Sequence, residues 1–147
     1  MDVKTKLGTT VQVTEKQLLE IPEGLFGFED FTKYAVYESE FSPFMWMQST
    51  EEQALAFLIV DPFVITGDYE LDVDDKQLLK IGITSPADVI VMAIVTIPAD
   101  GSPVTANLQG PLVINRANRK CIQVILNGNR WSTKHNIVES LKKKGER

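Results

Sequence analysis

At 147 residues, 44% of them hydrophobic, the chain has enough apolar material for one core and too little for two. Its formal net charge of −5 is split unevenly: residues 1–111 hold 18 acids and 6 bases, residues 112–147 hold 2 acids and 9 bases. The acidic body repels phosphate, which argues against nucleic-acid binding by most of the surface, and the asymmetry points to an interaction surface.

The start, Met1-Asp2-Val3-Lys4-Thr5-Lys6, is followed by no apolar stretch, so no signal peptide is expected and the chain reads as cytoplasmic. Val11 and Val13 alternate with Gln12 and Thr14, the period-2 pattern of a half-buried strand. Residues 28–32 read as a single helical turn, and residues 33–38 as a second strand. Met45 to Gln48 and Ala54 to Val60 flank the polar run 49–53, which predicts a hairpin. Asp61-Pro62 ends the second of these strands, because Pro cannot donate to a ladder. Asp75 to Lys80 predicts a short helix with Asp74 as N-cap.

Val89 to Ile97 is the longest apolar run and is rich in β-branched residues without alternation, which predicts a central strand buried on both faces. Residues 98–103 turn, and 104–108 return. Leu112 to Asn115 and Cys121 to Leu126 form another hairpin, and Asn127-Gly128 supplies the backbone of a tight turn. Residues 136–144 read as a helix in a frayed basic tail spanning about 136–147. The fold class that follows is mainly β: a single-domain (1–147), antiparallel, closed or nearly closed barrel-like fold with a few short helices. No apolar run approaches the ~18–20 residues of a membrane span.

Little in the sequence suggests catalysis. Cys121 opens an apolar strand, where an inert buried thiol is the ordinary case, and the lone His135 lies in the basic end, which reads as mobile. The single thiol has no disulfide partner within the chain and fits a reducing compartment. Two Cys and His residues in total are too few for zinc. Gly24-Leu25-Phe26-Gly27 lacks the Lys-Ser/Thr of a phosphate loop. No cofactor, metal or catalytic residue is assigned, and the chain reads as a binding protein, not an enzyme.

The acidic stretch Asp68, Glu70, Asp72, Asp74 and Asp75 is the densest charge in the chain. On a strand, Asp68, Glu70, Asp72 and Asp74 would share one face, with Tyr69, Leu71 and Val73 on the other. It reads as a solvated edge strand guarded by charge, or as a docking surface for a basic partner. Calcium would need the glycine and terminal Glu of an EF-hand loop, which are missing, and nothing marks a glycosidase-like pair. Phe44 and Trp46, with Met45 and Met47, are candidate partner anchors whose alternative role is to pack the barrel. Lys142-Lys143-Lys144 offers too few phosphate contacts for a nucleic-acid arm.

Five segments, taken together, resemble the FliW family of flagellar assembly factors. They are residues 21–29, with Gly24, Leu25, Gly27 and Phe28; residues 43–49, with Gln48; residues 55–63, with Asp61-Pro62; Asp68-Tyr69; and residues 105–115, with Asn107, Leu108, Pro111 and Asn115, followed by Gln123-Val124-Ile125-Leu126. Phe26, Gly110 and Trp131 depart from the family's usual Pro, Ala and Tyr. Much of this signature reads as structural: Gly24 and Gly27 as turn conformations, Leu25, Phe28 and Phe31 as a barrel plug, and Asn107 as a side chain bonded to nearby backbone.

The resemblance implies a partner switch: flagellin is bound in the cytoplasm, and once it is secreted the free protein sequesters CsrA, the RNA-binding repressor of flagellin translation. No direct nucleic acid and no membrane partner are implied. CsrA is expected to carry basic surface that suits the acidic stretch. Flagellin's apolar helical termini call for a hydrophobic groove. The alternatives are a small nucleic-acid-binding β-barrel and a carboxylate enzyme.

Overall fold

The computed structural model describes residues 1–140. Its strands are β1 (Asp2–Lys4), β2 (Thr10–Gln12), β3 (Leu18–Glu20), β4 (Lys33–Glu38), β5 (Met45–Ser49) and β6 (Ala56–Val60). Two short helices follow, α1 (Pro62–Ile65) and α2 (Asp75–Leu79). The chain continues with β7 (Val89–Thr96), β8 (Thr105–Ala106), β9 (Leu112–Asn115), β10 (Cys121–Gln123) and β11 (His135–Asn136). Short 3-10 turns occupy Glu15–Gln17 and Pro86–Asp88.

All strand pairings are antiparallel, in the order β10-β9-β7-β6-β5-β4-β3, with β8 and β11 added beside the end of β7. The ladder curls until its ends meet at one parallel bridge, Glu20 to Lys120, where the Glu20 N–H donates to the Arg119 carbonyl at 3.1 Å. One bridge does not make a ladder, so the barrel approaches closure and stops short of it.

The long apolar run becomes β7, and it is covered on both faces. Met92, with Ile90 and Ile94 packed beside it, joins an inner core with Tyr34, Met47, Ile59, Leu112, Ile114 and Cys121. Val91, Ala93 and Val95 join an outer core with Leu58, Val60, Ile65, Tyr69, Ile81, Val113 and Ile122. The outer core exists because α1 and the segment 65–83 fold over the sheet. A third, small cluster forms where the β1–β2 hairpin sets Val3 and Val13 against Ala35. Alternate side chains of one strand therefore feed two cores, which explains why the sequence of β7 does not alternate.

Several local expectations are corrected. Residues 68–74 form no strand: no strand pairs with them among the described residues, and the backbone bond that ties them to a distant segment runs from Asn127 N–H to Asp72 C=O at 3.1 Å. Residues 28–32 form no helix: Phe28 bridges back to Leu25, residues 29–30 turn, and Gly24 and Gly27, before and within that bridge, take left-handed backbone. His135 and Asn136 are not in a mobile tail; they pair with Ala106 and Thr105 as β11. Residues 137–140 are helical, and the rest of the expected terminal helix lies outside the described residues. Of Asn127-Gly128, only Gly128 takes positive φ (80°), in a bend without strand pairing.

Candidate functional site

Most of the signature residues hold the fold together. Gln48 is fully buried. Its Nε2 donates to the carbonyls of Ser49, Gln53 and Leu55, and its Oε1 accepts from Lys6 N–H at 2.8 Å. Asp61 caps α1 by accepting from Phe63 N–H at 2.8 Å, with Pro62 at the first helical position, where a missing N–H costs nothing. Asn107 Oδ1 accepts from Gly110 N–H at 2.7 Å, and Pro111 C=O accepts from Val124 N–H at 3.0 Å. Asn115 is buried, donating to Ile81 C=O at 2.9 Å and accepting from Ala117 N–H at 2.8 Å.

Gln123 bridges two segments, accepting from Phe26 N–H at 3.0 Å and donating to Gly110 C=O at 3.0 Å. Gly24 has φ +69°, and a Cβ there would lie 2.5 Å from Glu29 Cα, so only glycine fits. Gly27 has φ +88°. Leu25 and Leu108 are buried, whereas Phe28 is more than a third exposed and rests edge-on against Phe57 at 5.3 Å. Of the expected plug, Leu25 and the half-buried Phe31 enter the inner core and Phe28 stays at its mouth. Phe44 and Trp46 are half-buried and pack against the outer core, so barrel packing claims most of their surface.

The acidic stretch keeps the predicted alternation without the predicted strand. Asp68, Glu70, Asp72 and Asp74 are exposed; Tyr69 is buried, and Leu71 and Val73 are half-buried against the outer core. Burial of the odd-numbered side chains imposes the period, and no ladder is needed. Tyr69 anchors the segment: its hydroxyl donates to Leu108 C=O at 2.7 Å, and its ring meets Phe63 at 5.6 Å and Trp131 at 5.0 Å.

The acids fall into two groups. Arg130, stacked over Trp131 at 4.8 Å, lies 3.0 Å from Asp68 Oδ2 and 3.5 Å from Glu70 Oε2. The Thr66 hydroxyl, and then Arg130, hold the Asp68 carboxyl below its ordinary range. Asp72, Asp74 and Asp75 form no ion pair among the described residues. Asp74 occupies the N-cap of α2, yet its carboxylate makes no capping bond. Among the described residues no cluster of three or more His, Cys, Asp or Glu side chains is placed to hold a metal ion.

Beside the unpaired acids lies a groove of about 880 Å³ that sequence reading did not find. Its walls include Phe63 of α1, Leu78 and Leu79 of α2, and Ile83; its floor is the first half of β7, Val89 to Met92. Asp61, Asp75 and Arg116 stand among the apolar lining. Leu79 is 59% exposed and Phe63 43%, so the groove lies open to a partner. These residues are far apart in sequence. The local signals were Pro62, which turns the chain away from β7, and the exposed Leu79 on a short helix.

The family described as FliW protein matches residues 2–137. The chain belongs to the FliW family. It is 49% identical to the flagellar assembly factor FliW of Treponema denticola over 145 residues, which is 99% of each chain. It is 44% identical to that of Leptospira biflexa, with 95% of this chain and 92% of the relative covered. A solved crystal structure of a flagellar assembly factor FliW superposes with a TM-score of 0.83 at 34% identity, covering 93% of this chain and 96% of that one. The FliW architecture thus accounts for the buried signature residues above, which hold turns and strand crossings. The exposed acids and the open groove lie outside this buried framework. Among the described residues no helix is long and apolar enough to cross a membrane.

Proposed function

We propose that this FliW protein serves flagellar assembly by binding flagellin in the cytoplasm and by capturing the RNA-binding repressor CsrA when flagellin has been secreted. It works by binding and carries out no chemistry. The observation that supports this reading is the adjacency of two unlike surfaces: Asp72, Asp74 and Asp75, exposed acids with no ion pair among the described residues, and an apolar groove whose lining includes Asp75. The acids suit a basic regulator, raising its association rate and fixing its orientation. The groove suits an apolar flagellin segment. Because Asp75 belongs to both, an occupant of one surface crowds the other, and the two partners are coupled.

The test is calorimetric titration of the protein with each partner alone, then with CsrA after saturation by flagellin. Each partner should bind alone, and prior flagellin should weaken CsrA binding. Independent binding of the two, or binding of neither, would reject the switch.

A further inference from the structure

The β6–β7 ladder stops early, and the groove opens where it stops. Arg116 N–H donates to Asp88 C=O at 2.8 Å, and Asn107 N–H donates to Ile94 C=O at 2.9 Å. Both bonds leave on the side of β8 and β9. Even-numbered residues of β7 therefore direct their backbone groups to that side, and odd-numbered residues direct theirs toward β6. After the Val60–Ala93 pair, the next bonded pair would join Pro62 to Val91. Pro62 has no N–H to give, and its carbonyl already accepts from Thr66 N–H at 3.0 Å in α1. Val89 N–H turns back to Pro86 C=O. The Val91 N–H, the Val91 C=O and the Val89 C=O are left with no hydrogen-bond partner among the described residues. Val89 and Val91 both line the groove.

We propose that this edge receives an extended, apolar segment of a partner protein as an added strand. A helix laid in the groove would satisfy its own backbone and seal these three groups from water unpaired, which is costly. An extended segment pairs them and continues the position that β6 gives up. Val89 to Met92 is long enough for about four residues, roughly 13 Å of strand.

The added segment takes the direction of β6, whose place it continues, and the flanking charges set its ends. Asp61 stands at the Ala93 end of the edge and Arg116 at the Val89 end. A strand antiparallel to β7 places its N-terminal end beside Asp61 and its C-terminal end beside Arg116. The occupant is therefore apolar in the middle, basic at its N-terminal end and acidic at its C-terminal end. This goes beyond the function proposed above, since it holds whichever protein carries such a segment.

The experiment follows amide exchange by NMR in the full chain during titration with a synthetic peptide. The peptide alternates valine and threonine, opens with lysine and ends with glutamate. Exchange at Val91 should slow by about tenfold or more, as expected for a newly hydrogen-bonded strand amide, while Ile90, already in the ladder, changes little. A peptide with its end charges exchanged should bind more weakly. Val91→Pro removes the open donor without removing a ladder bond, and should weaken binding about tenfold. No binding, an unprotected Val91 amide at saturation, or tighter binding by a peptide locked as a helix would overturn the proposal. The exchange measurement on the unaltered chain decides the matter even if the proline variant fails to fold.

Discussion

Arg130 and Asp68 form an ion pair at 3.0 Å across the surface that the acidic stretch presents, so the protein supplies its own cation to part of its acidic face. Glu70 shares the same guanidinium at 3.5 Å, and Trp131 holds that guanidinium by its ring. Removing the cation should therefore strengthen attraction for a basic partner. Arg130→Ala is expected to raise the CsrA association rate at low salt and to leave the melting temperature almost unchanged, since exposed ion pairs contribute little. Stopped-flow mixing and a thermal melt check both halves.

Tyr69 supports the same surface from beneath. Tyr69→Phe removes the donor to Leu108 C=O and leaves a buried carbonyl unpaired, at a cost of about 1–3 kcal/mol. Denaturant unfolding should show that loss. Acid-dependent capture of CsrA should persist at temperatures where the variant stays folded.

Gly24→Ala should be among the most damaging single changes. Left-handed backbone costs a residue with a Cβ about 1–2 kcal/mol, and the added carbon would meet Glu29 Cα at 2.5 Å. The expected outcome is a lowered denaturation midpoint, measured by circular dichroism.

Buried acids of the inner core predict alkaline sensitivity. Burial, then the nearby Glu51, pushes Tyr34 from 10.0 to about 12, and burial pushes the Cys121 thiol further above its ordinary 9.0. The unfolded chain releases these protons at lower pH than the folded one, so the unfolded state gains as pH rises. The contribution of these two groups should be level below about pH 9, and stability should fall as pH climbs from there through 12. Urea titrations across that range check it. In the same native state at pH 8, Cys121 should resist a thiol reagent until the protein unfolds.

Much of the fold was legible because it is written in short-range pattern. The unbroken run 89–97 announced a strand covered twice, and the Ser49 to Gln53 run announced a hairpin. The alternation at 68–74 was equally visible but said nothing of pairing, because a ladder needs a neighbour that only the tertiary fold could supply. His135 illustrates the same limit: its strand exists because Ala106 lies beside it, about 30 residues away in sequence. The groove was the least legible feature. Its floor, walls and charged rim come from residues between Asp61 and Arg116, and no window of sequence contains them together.

The central claim is that the acids with no ion partner among the described residues capture a basic regulator, and its most direct test is charge reversal at Asp72 and Asp74. The double variant, both changed to Lys, is titrated against CsrA and against flagellin at low and at high ionic strength. The account predicts weakened CsrA binding at low salt, a deficit that shrinks as salt screens exposed charge, and much smaller change for flagellin. Unchanged CsrA affinity at low salt, in a protein that melts as before, would contradict it and leave the stretch as a solvated flank of the groove.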